Sequence, residues 1–433
     1  MKPLTMNQGR EQRRVVITGS GLISPLADDA DGLHRALCDG RSGLGPVTFE
    51  QEPEQDSGRT PHLAGQIDFD ARHYLPDGKL RPLDRTGRLV TAAARLAMAD
   101  AGLDEAVCEE HEVGLVLGTL YCSLHTIAAF DQRALEAGPQ YVRPFDFANS
   151  VINAASGQTA IWHRLRGVNA TLTGTTAGLE AIAYGADLIA TGRSEIVLAG
   201  GADELCFESH LAFERSGLLC DSDDPRPVPF DAGRNGLALS ENAVLLVLES
   251  EASAERRGAK ILAEVHGHAS FFDPSRGEDV GKASAAIRRS LLTALERSDL
   301  SVDDVHGLGA SANGSAALDR NEAAGLAAAF DQRRSPLPVT AIKSMAGEGL
   351  GASGALQALS LLQSLRHGEL PGIHGLDRAE SAGEGLSLSA QTRALESDGD
   401  RRHGLISSVG LDGQVCSLVL SAPSNGLEAE IPS

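Results

Sequence analysis

The 433-residue chain carries 38 Lys and Arg against 59 Asp and Glu, a formal net charge of −21 at pH 7. With no basic run to offset phosphate, that balance argues against nucleic-acid binding and against docking on an anionic membrane surface. Aromatics make up 4% of the residues while Gly numbers 48, a composition suited to close helix–sheet packing, and the length suggests two or three domain-sized units. Six cysteines (Cys38, Cys108, Cys122, Cys206, Cys220, Cys416) form no CxxC pair, so buried free thiols are the expectation, with no metal and no cofactor. The opening MKPLTMNQGREQRR lacks the apolar stretch of a secretory signal. No uncharged apolar run reaches the roughly 18 residues needed to span a bilayer. A cytoplasmic protein is expected.

Taken in order, residues 1–12 read as a disordered lead and residues 14–24 (RVVITGSGLIS) as a β-branched strand. A polar loop at 50–60 precedes an Ala-rich helix at 89–101 and a buried strand at 113–119, VGLVLGT. Next, Leu124, Ile127, Ala128 and Asp131 recur at i, i+3, i+4 and i+7, which puts them on one helical face. Residues 149–164 read as a further helix, with small residues that permit close packing. A short strand at 169–173 is broken by Gly174, and from Gly178 the residues Leu179, Ile182, Ala183, Ala186 and Ile189 take up helical spacing. Strands are also expected at 195–203 (EIVLAGGAD) and 243–248. A second alternation opens at 259–268, so the chain divides near 255 into halves 1–255 and 256–433. Residues 380–403 read as a polar surface loop with a short helix, and the last dozen as frayed. The alternation as a whole predicts an α/β fold with mainly parallel strands.

Thr175 falls where strand turns into helix. Unpaired helix N–H groups and the positive end of the dipole favour an anionic nucleophile there, as they do for reactive cysteines. A Thr hydroxyl is too weakly acidic to be activated that way. An ordinary turn capped by Thr and a catalytic turn that has lost its nucleophile both fit this stretch.

Five segments, in family order over about residues 13–422, resemble the β-ketoacyl synthases, the condensing enzymes of fatty acid and polyketide assembly. RVVITGSGLISPL resembles the family's opening strand, AGGAD the strand after its nucleophile helix, and PFDAGRNGLALSENAVLLVLE its PFD…G…GEG…LE stretch. KSMAGEGLGASGALQAL is similar to its KS-x-x-GH-x-x-GA-x-G segment, and SSVGLDGQVCSLVL to its closing NSFGFGG strand. The resemblance implies the thiolase fold: two similar αβα halves stacked as five αβαβα layers, in an obligate dimer. It also implies a catalytic cysteine that carries the acyl chain and two histidines that decarboxylate the malonyl extender. Here TGTTAG puts Thr175 in the cysteine position, and Glu348 follows Lys343-Ser344 where the second histidine belongs. For the first histidine, HGLGAS imitates the family's HGTGT at His306, but LDRNE, anchored on the family's ND-x-x-E, gives an ungapped register that selects Ser311. His306 is then a surface or turn histidine. Lys343 and Glu322 match the family's supporting charged pair; alternatively Lys343 is a core lysine satisfied by a carboxylate.

All three reacting groups are absent while the glycines and strands around them remain. Within the family that pattern resembles the chain length factor, the β subunit of type II polyketide ketosynthase heterodimers, though aromatic-polyketide members mostly carry Gln where Thr175 stands. The resemblance implies no catalytic residue intact, an active ketosynthase α subunit as partner, and a product tunnel lined by the face Leu124, Ile127, Ala128 and Asp131. Acyl carrier proteins are acidic, so their docking is expected mainly on the partner. The alternative is an active or acyl-binding β-ketoacyl synthase homologue acting as a homodimer, with Thr175 as nucleophile.

Overall fold

Alternation along the strands sets the layering. In the strand Asn242–Ser250, buried throughout, Val244, Leu246 and Leu248 enter one apolar core while Ala243, Leu245 and Val247 enter another. A strand apolar on both faces has to lie between two layers of helix. The computed structural model describes residues 13–49, 62–75, 79–380, 383–397 and 399–424. The expected lead at 1–12, the loop at 50–60 and the tail beyond 424 lie outside them.

Eleven strands make one twisted sheet: β1 Val15–Ile23, β2 Gly114–Thr119, β3 Asn169–Thr173, β4 Ile196–Asp203, β5 Asn242–Ser250, β6 Ala263–Phe272, β7 Val305–Gly309, β8 Leu337–Thr340, β9 Leu386–Leu388, β10 Arg401–Val409 and β11 Gln414–Pro423. Their order is β9-β8-β7-β10-β11-β6-β1-β5-β4-β2-β3. The sequence β1-β5-β4-β2-β3 in the first half is repeated as β6-β11-β10-β7-β8 in the second, with the same strand directions. The halves join where Val15, Val16 and Ile17 pair antiparallel with Val265, Glu264 and Ala263. Between β5 and β6 runs a short helix, Glu251–Arg256, at the division expected near 255.

The principal helices are α1 Ala30–Cys38, α2 Arg85–Asp100, α3 Leu124–Ala137, α4 Ala154–Trp162, α5 Ala177–Ala190, α6 Val280–Glu296, α7 Ala316–Phe330 and α8 Ser353–His367. Helices α2 and α4 cover the outer face of the first half, and α6 and α7 that of the second. Helices α5 and α8 pack together between the two, which completes the five layers. At their meeting point, a Cβ on Gly178 would strike the Gly351 carbonyl, and a Cβ on Gly351 would lie 2.5 Å from Thr119 Cα. Among the described residues no helix is long and apolar enough to cross a membrane.

Four expectations need correction. Among the described residues, parallel and antiparallel pairings occur in equal number within the eleven-stranded sheet rather than mainly parallel. One cause is connection length, since β10 and β11 form a tight hairpin; the longer connection from β4 to β5 carries the helix Phe207–Arg215 and still returns β5 antiparallel to β4. The helix expected at 149–164 begins only at Ala154: a short helix, Pro144–Ala148, ends at Asn149, whose backbone N–H caps it, and Asn153 stands at the start of α4 without a side-chain cap bond. Over the described part of 380–403 there is no helix; Leu386–Leu388 instead adds a parallel edge strand to Leu337–Val339. His306 stands half-buried in β7 instead of on the surface, and its Nδ1 accepts the His403 backbone N–H at 3.0 Å.

Because Gly351 faces backbone that cannot yield, Gly351→Ala should cost about 1–3 kcal/mol by overpacking. Urea denaturation of the variant beside the parent checks this.

Candidate active site

Four turns meet at the carboxyl ends of β3, β7, β8 and β10, where each parallel strand hands over to its helix or loop. Thr175 follows β3 by two residues. Gly174, at φ +145°, makes the sharp turn that a side chain would strain, and α5 begins at Ala177. The half-buried Thr175 hydroxyl donates to Asp412 Oδ1 at 3.2 Å, which also accepts the Gln414 N–H at 3.2 Å. Asp412 lies in the β10–β11 turn. Only a glycine at 410 lets that turn pass, since a Cβ there would collide with both Asp412 Oδ1 and Thr175 Oγ1.

The turns after β7 and β8 build a closed ionic cluster. Lys343, 5% exposed, donates to Glu348 Oε2 at 2.8 Å and to Ser311 Oγ at 3.3 Å. Glu348, 6% exposed, also accepts from Asn313 Nδ2 (2.8 Å), Ser353 Oγ (2.6 Å) and the Leu350 N–H (3.1 Å). Ser311 donates its N–H to Glu322 Oε1 at 2.9 Å and its hydroxyl to the Val409 carbonyl at 3.4 Å, which ties β7 to β10. Lys343 therefore forms its ion pair with Glu348, where the resemblance implied Glu322. A carboxylate in the second histidine position brings a full charge to the ammonium, and the buried lysine takes it.

Burial alone would raise the Glu348 pKa. The Lys343 charge and the hydrogen bonds from Lys343, Ser353 and Asn313 outweigh it and hold the group below its ordinary 4.5. The carboxylate is thus ionised with its lone pairs engaged, and can neither donate a proton nor readily accept one. Glu322 goes the other way: burial pushes it up to about 7, against the Ser311 N–H and the Lys343 charge that pull it down.

The structure thus gathers Ser311, Glu348, Lys343 and Glu322 into one cluster, and Val409 connects it to the turn that carries Asp412 beside Thr175. The face of Leu124, Ile127, Ala128 and Asp131 belongs to α3, none of whose residues is buried. Three participants were not singled out from the sequence: Asn313, Ser353 and Asp412. Only Asp412 left a signal, since SSVGLDG departs from NSFGFGG by putting an acid where the pattern has glycine.

Enolate formation requires donors aimed at the oxygen where charge develops. This cluster offers a saturated carboxylate, a lysine already engaged, and a second carboxylate against the nucleophile position.

The model of the β-ketoacyl synthase N-terminal domain matches residues 12–254, and that of the C-terminal domain residues 262–377. The chain belongs to the β-ketoacyl synthase family. It is 30% identical over 417 residues to 3-oxoacyl-(acyl-carrier-protein) synthase 2 of Vibrio harveyi, covering 94% of this chain and 98% of that one. To the tetracenomycin polyketide synthase ketoacyl synthase alpha subunit of Streptomyces glaucescens it is 29% identical over 378 residues, or 83% and 86% of the two chains. Among solved structures, the ishigamide ketosynthase/chain length factor superposes with a TM-score of 0.85 at 30% identity, covering 95% of this chain and 99% of that one. A β-ketoacyl synthase from Burkholderia phymatum STM815 gives 0.83 at 26% identity with the same coverage. The five layers are those of the thiolase-like ketosynthase fold.

Two measurements test the cluster. Glu348→Ala leaves the Lys343 ammonium buried without its partner and should cost about 3–5 kcal/mol in denaturant unfolding. The pH dependence separates the two acids. The folded-state pKa of Glu322 lies above its ordinary 4.5, so its contribution is complete below that value and fades as pH rises through about 7. Glu348, with a lowered pKa, contributes throughout that window and loses its contribution only as pH falls below 4.5. Glu322→Gln should therefore flatten the decline between about 4.5 and 7 relative to the parent.

Proposed function

We propose that this chain is a non-catalytic, chain-length-factor-like subunit that pairs with an active ketosynthase α subunit. The pair elongates acyl carrier protein-bound chains by decarboxylative condensation, and this subunit shapes the product tunnel. The observation that carries the reading is the chemistry of the site: Thr175 is bonded to a carboxylate, and Glu348 is held by four donors, where the family's pattern has a thiol and an imidazole.

Two surface features support a partner. Among the described residues, strand β3 ends the sheet with its far edge unpaired, and its residues are half-buried or exposed. Native proteins seldom leave such an edge uncovered. Large apolar side chains are exposed nearby in sequence: Leu135 on α3, Tyr141, Phe145 and Phe147 after it, Val151 before α4 and Ile161 on it. The likeness to the ishigamide ketosynthase/chain length factor favours a heterodimer. An α subunit whose own β3 runs against this one would cover the edge and the apolar residues together, and the net charge of −21 leaves carrier docking mainly to that subunit.

The second reading, an active enzyme using Thr175, gains one observation, since Asp412 is a base within hydrogen-bond reach of the hydroxyl. That base cannot supply the donors that decarboxylation needs. The two readings differ in the acyl-enzyme: after incubation with acyl carrier substrate, the Thr175 peptide should carry no acyl mass, and a stoichiometric adduct would overturn the proposal. Thr175→Cys should also fail to restore condensation. Native mass spectrometry after co-expression with an active ketosynthase α subunit should show a one-to-one heterodimer; a monodisperse monomer at micromolar concentration would contradict it.

The tunnel assignment has its own test. Leu124, Ile127 and Ala128 are half-buried and Asp131 is exposed, so a larger side chain meets no packed core within this chain. Ala128→Phe should shift products to shorter chains while the heterodimer stays assembled and active. Unchanged product length in an active complex would remove α3 from the tunnel wall.

A further inference from the structure

Of the six cysteines Cys38 alone is not buried. It stands one turn after His34 on α1, so the two side chains share a face. Across from that face, α8 ends at His367 and Glu369 begins a short strand. The His34 ring is 4% exposed, and its polar contacts are weak ones. Cys38 Sγ lies 3.6 Å from Nε2 and 3.9 Å from Nδ1, and a Glu369 carboxylate oxygen lies 4.0 Å from Nε2, beyond hydrogen-bond range. A buried imidazole ordinarily finds a full hydrogen-bond partner. Here three groups of metal-ligand type converge instead, one ligand atom from each lying within 4.8 Å of the others.

We propose that His34 Nε2, Cys38 Sγ and the Glu369 carboxylate bind a borderline divalent transition ion of the zinc class, with water in the fourth position. Tetrahedral zinc, at about 2.0–2.1 Å from nitrogen and about 2.3 Å from sulfur, separates those two atoms by about 3.6 Å; Sγ is now 3.6 Å from Nε2 but also 3.9 Å from Nδ1, so it lies over the ring and off the Nε2 lone-pair line. Zinc ligation would bring the nitrogen and a carboxylate oxygen to about 3.4 Å. The Glu369 side chain is 58% exposed and free to close that gap. Cys38 has to turn about χ1 to bring its sulfur onto the Nε2 lone-pair line. The imidazole plane is held by stacking on His367, at 4.5 Å between centroids and 14° between planes, while His367 Nε2 faces Asp31 at 3.4 Å.

A mixed sulfur, nitrogen and oxygen donor set rejects magnesium and calcium, which take oxygen ligands. On binding, the Cys38 thiol releases its proton to solvent as the sulfur–metal bond forms, with no change of oxidation state. The ion would clip α1 of the first half to the end of α8 in the second.

The test uses the full-length protein, stripped with a chelator and desalted. It is titrated with zinc chloride against a chromophoric competitor, and in parallel with cobalt(II), whose thiolate charge-transfer band reports a sulfur bond. One equivalent per chain is expected, with the cobalt band lost in Cys38→Ser. Outer partners of metal ligands alone are worth roughly 10–100-fold in affinity, so Cys38→Ser and Glu369→Gln should each weaken zinc by about tenfold or more. Zinc should raise the unfolding midpoint of the parent and leave that of Cys38→Ser unmoved. Glu369 is exposed, so its variant keeps the test open should the Cys38 change disturb folding. Binding unchanged in both substitutions would put the ion elsewhere, and failure of the parent to retain zinc at micromolar concentration would equally overturn the site.

Discussion

An ammonium group shut away from water needs a counter-charge within reach, and the turns after β7 and β8 are arranged to give Lys343 one. Leaving such a charge unpaired is far more costly than forming the pair is rewarding. Glu348 meets the requirement at 2.8 Å, and its remaining lone pairs draw in Asn313, Ser353 and the Leu350 N–H. Those donors come from both turns, so satisfying one carboxylate fixes the paths of two loops. An imidazole in the same place would leave Lys343 without the charge and would keep a proton available for chemistry. With Glu348 the cluster is electrostatically complete before any substrate arrives.

The sequence carried the elements that depend on a face. Apolar periodicity located α5, continuous apolar runs located β2 and β5, and the break at Gly174 closed the short Thr- and Leu-containing β3 and marked the turn at Thr175. Strand direction was not legible, since it depends on whether a connection crosses over, and a connection that holds a helix, as the one before β5 does at Phe207–Arg215, can still return the chain antiparallel. The face on α3 was legible as apolar, but periodicity does not say what covers it; among the described residues it is at most half-buried. Asp412 and the cluster of His34, Cys38 and Glu369 escaped for a related reason. Their members are separated by 237 residues in one case and brought together from opposite halves in the other, and no local pattern encodes such a meeting.

Internal repetition explains why the site sits where it does. Because β1-β5-β4-β2-β3 recurs as β6-β11-β10-β7-β8, the turn after β3 and the turn after β8 are equivalent positions in the two halves. Each leads into a helix of the middle layer, α5 or α8, and those helices pack against each other. The Thr175 turn and the Lys343–Glu348 turn are therefore carried to the same end of the molecule by the packing of the layers.

That packing also qualifies what the retained glycines mean. Gly178 and Gly351 remain where a ketosynthase would have them, but a Cβ on Gly178 would collide with the Gly351 carbonyl and one on Gly351 with the Thr119 backbone at the end of β2. Selection for folding preserves them whether or not the site is used, so an intact frame is no sign of a retained role. The replacements are more informative. A site that had merely decayed would leave buried polar groups orphaned, at a cost of about 1–3 kcal/mol each. Here Glu348 is fully bonded, Asp412 holds Thr175, and Ser311 joins Lys343 to the Val409 carbonyl. The three replaced positions are therefore bonded, while Glu322 Oε2, Ser344 Oγ and Thr176 Oγ1 beside them are buried without a hydrogen-bond partner among the described residues, so the exchanges are accommodated at the replaced residues themselves rather than throughout the site.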